Sequence, residues 1–150
     1  MKFILTKELG KLARWLRILG FDTVYYKGDN LGPIIIQALR EDRRIITRKK
    51  GIRYLQKRIM VVSSEEVQRQ LKELQKKLDL DIKEDKIFTR CTVCNELLEE
   101  VKKENIKASL PEYVYKHQDC FRQCESCKKV YWKGSHWDDI KKGVSQLRGR

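Results

Sequence analysis

Cys91 and Cys94, then Cys124 and Cys127, form two Cys-x2-Cys pairs separated by 29 residues. Each pair presents two thiolates from one tight turn, and two such turns supply the four soft ligands of a tetrahedral zinc site. Metal binding deprotonates the thiols and folds a segment with little core of its own. Two other readings compete: unpaired buried thiols, and a thioredoxin-like redox pair. The latter needs only one Cys-x2-Cys and a βαβ context that neither pair has. The chain holds five cysteines, and none precedes Cys91. An odd count, with no apolar export signal after Met1-Lys2-Phe3-Ile4-Leu5, argues against a disulfide framework. The paired turns require neither Cys120 nor nearby His117. The expected cofactor is structural Zn²⁺ on Cys91, Cys94, Cys124 and Cys127.

Charge points to a partner. Lys and Arg number 34 against 21 Asp and Glu, a net +13 in 150 residues. Residues 1–86 carry 21 basic and 12 acidic side chains, and residues 87–150 carry 13 and 9. Such a surplus points to a polyanion, most simply RNA or DNA; the plainer alternative is a solvated Lys-rich surface. The longest apolar run, Ile34-Ile35-Ile36, is too short to span a bilayer. No membrane association and a cytoplasmic location are the expectations.

Positioning these groups takes an ordered scaffold, and the pattern provides one. Lys2–Leu5 reads as a buried strand and Thr6 as a helix cap. Leu9, Leu12, Ala13, Leu16 and Leu19 follow at helical spacing, with Lys7, Lys11 and Arg14 as a basic stripe and Arg17 beside it. Gly20 ends that helix. Strands are expected at 23–26, 44–47 and 59–62, with helices at 31–40 and 65–78 and a loop or short helix over 48–56. Alternating strands and helices predict a parallel sheet with helices on its faces, a small three-layer α/β domain. Asp79–Lys86 reads as a polar linker. Beyond it, strands are expected over 97–107, 113–115 and 130–132, a short helix over 137–144, and a basic frayed tail over 146–150. Two cysteine turns on facing hairpins outline a zinc ribbon.

The strings Gly10-Lys-Leu-Ala-Arg-Trp-Leu-Arg17, Arg43–Arg48, Arg90-Cys91-Thr-Val-Cys94-Asn95 and Tyr131-Trp-Lys-Gly-Ser-His-Trp137 resemble the Mut7-C RNase domain family. The resemblance runs from Phe3 to Trp137. It implies a PIN-like α/β domain over residues 1–86 and a zinc ribbon with a basic tail over 87–150. It also implies a nuclease site of acidic residues at the carboxyl ends of parallel strands, holding Mg²⁺ or Mn²⁺. Two of the family's acidic positions fall on Thr6 and Lys49 here. Losing two carboxylates and gaining an ammonium is a swing of three charge units against a cation. Asp22, Asp29, Glu41 and Asp42 remain, with Asp29 the best residual catalytic acid and Asp22 and Asp42 read as surface or turn residues.

The leading expectation is an RNA-binding protein on a degenerate ribonuclease scaffold, its partner ribosomal RNA, tRNA or another structured RNA. Lys7, Lys11, Arg14, Arg48, Lys49 and Lys50 are the phosphate-contact candidates, since loops after parallel strands gather where ligands bind. An active metal-dependent ribonuclease using the residual acids, and a ribbon that docks a protein partner, are the alternatives. Tyr131, Trp132 and Trp137 could stack on bases or pack around the zinc, the latter being the expected use. His136 is placed in a loop without a catalytic role.

Overall fold

The computed structural model describes residues 1–52 and 57–148. The expected loop or short helix over 48–56 therefore falls partly outside the described residues. Strands and helices alternate as β1 (Lys2–Leu5), α1 (Gly10–Ile18), β2 (Asp22–Tyr25), α2 (Leu31–Glu41), β3 (Arg44–Thr47), β4 (Ile59–Val61) and α3 (Val67–Leu78). The four strands are parallel, in the order β2-β1-β3-β4. Alternation along β1 sends Phe3 and Leu5 to one face and Ile4 to the other. Phe3 and Leu5 pack with Leu12 and Leu16 of α1 and Leu71 and Leu74 of α3. Ile4 packs with Ile45 of β3 and with Ile34 and Ala38 of α2. The sheet is covered on both faces, as a three-layer α/β domain requires.

Thr6 does not cap a helix through its side chain. The first turn, Lys7–Leu9, is a tighter 3₁₀ turn, and the Thr6 hydroxyl is directed to Glu8 instead. The polar segment Asp79–Lys86, expected as a linker, buries Leu80 and Ile82 in the α1–α3 core. Gly20 makes its crossing possible. At φ +93°, a Cβ there would lie 2.5 Å from the Lys86 carbonyl oxygen, so only glycine lets the segment pass the end of α1.

The second half is built on an antiparallel sheet of β5 (Glu99–Val101), β6 (Phe121–Gln123) and β7 (Val130–Tyr131), in that order. The strand expected over 97–107 contracts to β5 and a single bridge between Arg90 and Leu97. Tyr113–Tyr115, expected as a strand, lies in the short helix α4 (Glu112–His117). Pro111 opens this helix, and Val114 packs from it onto Ile106 and Phe121. The last helix, α5 (Ser135–Arg148), outruns the expected 137–144 and takes in 146–148 of the expected tail. Gly149 and Arg150 lie outside the described residues. Val144 and Leu147 are buried against the α1–α3 core, so α5 completes the interior of the first half. No described helix is long and apolar enough to cross a membrane.

Asp22, at the amino edge of the sheet, accepts hydrogen bonds from Arg43 (2.8 Å) and Asn95 (2.7 Å). Partial burial opposes the charged carboxyl, but those bonds and the Arg43 charge outweigh it and hold Asp22 below its ordinary 3.8. The stabilisation is complete above that ordinary value and fades as pH falls toward the lower folded value. Asp22→Asn should therefore lose less stability than the natural protein on acidification below pH about 4, read by urea midpoints. Identical acid profiles would remove Asp22 from the account.

Candidate metal centre and nucleic-acid interface

The two cysteine turns are near copies. Cys91 N–H donates to the Glu96 carbonyl (2.8 Å) and Asn95 N–H to the Cys91 carbonyl (3.0 Å). In the second turn, Cys124 N–H donates to Lys129 (3.0 Å) and Lys128 N–H to Cys124 (2.9 Å). Asn95 and Lys128, each just past its pair, take left-handed conformations with φ of 67° and 64°. The four Sγ atoms of Cys91, Cys94, Cys124 and Cys127 lie within 4.8 Å of one another, and the Cys91 and Cys127 sulfurs are 3.6 Å apart. A tetrahedral zinc with 2.3 Å bonds sets its sulfurs about 3.8 Å apart, so the cluster could hold a metal such as zinc. Cys120 is exposed and outside the cluster, and so is His117.

Ionisation is unevenly shared. Burial opposes the Cys91 thiolate, but the Tyr131 hydroxyl, the Cys94 and Val93 N–H groups and the Cys127 thiol outweigh it and bring Cys91 down to about 7. Its hydrogen bond with Cys127, desolvation and the other thiols push Cys94 up to about 12. Four crowded thiols cannot all ionise without a cation among them, and a divalent ion supplies that charge. Tyr131, half-buried, also accepts the Thr92 N–H (3.0 Å), so it packs at the cluster as expected.

Arg17 fixes the first cysteine turn to the α/β layer. It is buried on α1 and donates to the carbonyls of Thr23 (2.9 Å), Thr92 (2.9 Å) and Val93 (3.1 Å). Among the described residues it pairs with no carboxylate. Asn95 accepts the Thr23 N–H (2.9 Å) from the same turn.

The second centre lies at the opposite edge of the sheet. The chain leaves β1 toward β2 and leaves β3 toward β4, so a crevice opens between their carboxyl ends. There the Glu8 carboxylate accepts the Thr6 hydroxyl (2.6 Å), the Thr47 hydroxyl (3.3 Å) and the Arg48 N–H (3.0 Å). Lys49 N–H donates to Thr47 Oγ1 at 3.1 Å. Partial burial disfavours the Glu8 charge, but these donors prevail and hold its carboxyl below the usual range. Glu8 was missed as a candidate because it sits inside a helical pattern. An acid in the first turn after a buried strand was the available signal, and the 3₁₀ turn is what swings it back over β3.

Asp29 reaches this edge on the turn before α2, exposed and paired to Lys7. The Lys7 hydrogen bond and charge, with a smaller attraction from Lys49, hold its carboxyl low. Lys49 and Lys50 are exposed at the same edge, and Lys11 and Arg14 are exposed along α1. Asp22, Glu41 and Asp42 are elsewhere, bound to Arg43 and Arg58 near the amino edge. Among the described residues, the cysteine cluster is the only convergence of three or more His, Cys, Asp or Glu ligand atoms. Glu8 engaged by three donors and Asp29 engaged by an ammonium do not fit the Mg²⁺ or Mn²⁺ site of a nuclease, and no hydrolytic step is derived through one.

The sequence matches the Mut7-C RNAse domain family over residues 1–144. No curated protein and no solved structure matches significantly. The match begins before β1 and ends at Val144, where α5 closes the core, so it takes in both the parallel sheet and the cysteine cluster: the chain belongs to the Mut7-C RNAse domain family.

Proposed function

We propose that the protein binds structured RNA, such as ribosomal RNA or tRNA, on a ribonuclease-like scaffold that does not cut, with Zn²⁺ holding its ribbon. The observation that carries this reading is the crevice between β1 and β3. It holds two threonine hydroxyls and one hydrogen-bonded carboxylate where a nuclease needs converging acids. Around it stand Lys7, Lys49, Lys50 and Arg48. Arg48 Nε is buried without a hydrogen-bond partner among the described residues, while its Nη2 lies 3.7 Å from the Glu65 carboxylate. Phosphates accept from lysine and arginine side chains. Zn²⁺ on Cys91, Cys94, Cys124 and Cys127 neutralises the thiolates and cross-links the two turns, a structural role.

Lys49→Ala with Lys50→Ala should weaken RNA binding and flatten its salt dependence by roughly 0.7–0.9 log units per lost phosphate contact. Zinc content and melting temperature should not change. The natural protein, given Mg²⁺ or Mn²⁺, should leave single-stranded and structured RNA intact. Robust cleavage abolished by EDTA would replace this reading with the active ribonuclease. Protein capture that persists without RNA and ignores salt would replace it with a docking ribbon.

A further inference from the structure

A groove of about 470 Å³ lies between α1, α4, β7 and the start of α5. Its size suits one nucleoside-sized ligand. Phe88, Tyr113, Tyr131, Trp132 and Trp137 line it, as do Arg14, His117, Lys129 and His136. No carboxylate is among its lining residues. Lys133 and Lys141 stand 4.6 and 5.8 Å from the centre of the Trp137 ring, Lys141 also pairing with Glu84 at 3.4 Å. An aromatic wall whose lining residues carry cations and no carboxylate suits a planar, polar, anion-bearing group, and the chemistry is that of an unpaired nucleotide. An apolar helix or peptide would find the same rings but would gain nothing from the cations.

Two further features favour the nucleotide. Tyr113 is 69% exposed at the groove's edge, a large ring with no burial to explain it. The basic residues of α1 also connect the two sites. Lys7 stands at the sheet crevice and Lys11 follows, while Arg14, about 10 Å along the helix, lines the groove. A strand held by phosphate contacts at the first site can lay a base in the second. Thr92 and Tyr131 tie the groove to the metal cluster, so the ribbon's fold shapes its wall.

We infer that this groove binds an unpaired base of a single-stranded RNA by aromatic stacking, with Arg14 and Lys129 on the flanking phosphates. The inference rests on the RNA-binding reading and adds a class of substrate to it: RNA with single-stranded segments. The test uses the whole metal-loaded chain with a short oligouridylate and a duplex RNA of equal length. Tyr113→Ala should weaken the oligouridylate roughly tenfold and the duplex less than twofold, because duplex bases are already stacked. Ultraviolet crosslinking to the oligouridylate should give adducts on Tyr113 or within 130–137. Equal loss for both RNAs, no loss for either, or crosslinks confined to 7–11 and 48–50 would overturn the groove while leaving RNA binding in place. Binding of neither RNA by the natural protein would overturn the underlying reading itself.

Discussion

Cys124→Ser releases the metal and unfolds the second half of the chain, whereas Cys120→Ser leaves both intact. This is the largest effect expected of any single substitution. Apparent binding energies of structural zinc sites run to about 10–16 kcal/mol near neutral pH, and the β5–β7 sheet has only the small cluster of Ile106, Val114 and Phe121 to support it. Loss of one ligand leaves three thiols crowded without full compensation. Elemental analysis should find one zinc per chain in the natural protein and in Cys120→Ser, and almost none in Cys124→Ser. Thiol labelling gives an independent readout. The loaded protein should show one fast-reacting thiol, the exposed Cys120, and all five should react after chelation. If Cys120→Ser strips the metal as completely as Cys124→Ser, the ligand assignment is wrong.

Arg17→Met should destabilise the folded chain by roughly 3 kcal/mol while leaving zinc bound. Methionine keeps most of the stem and volume but removes three donors to backbone carbonyls. Two of those carbonyls belong to Thr92 and Val93, inside the first cysteine turn, so the loss falls on the joint between the metal cluster and α1. Donors that carry charge contribute more than neutral ones, and the carbonyls left behind near buried surface add their own cost. Denaturant titration of metal-loaded protein measures the effect. A variant as stable as the natural chain would show that Asn95 and Arg90, which donates to the carbonyls of Gly20 (3.3 Å) and Asn95 (2.8 Å), suffice to hold the turn. A variant that loses zinc would move Arg17 from docking the site to forming it.

What the sequence revealed was local. The alternation of strands and helices, and the two Cys-x2-Cys turns, are repeats of period and spacing that short windows carry. The misses share a cause in long-range partners. Arg17 bonds to carbonyls 75 and 76 positions away, and backbone acceptors leave no mark on residue type. Glu8 reaches the β3 edge through a 3₁₀ turn that helical periodicity does not distinguish from an α-helix. Tyr113 and Tyr115 are β-prone by type, yet the chain turns helical after Pro111 so that Val114 meets Ile106 and Phe121, partners that no short window shows. Leu80 and Ile82 were hidden among charged neighbours, where composition outweighs two apolar side chains.

The burial of Val144 and Leu147 beside α1 and α3 carries a consequence for biosynthesis. The apolar faces of α1 and α3 emerge early in translation but find their last partner only when α5 follows. At about 5–20 residues per second, the seventy residues separating α3 from the end of α5 take roughly 4–14 s. During that interval the nascent chain carries a sheet with one incompletely covered face, the condition in which hydrophobic surface recruits chaperones or neighbouring chains. The α/β layer thus closes only once α5 has been made, and a chain stopped short of it would carry a core still open on the α1–α3 face.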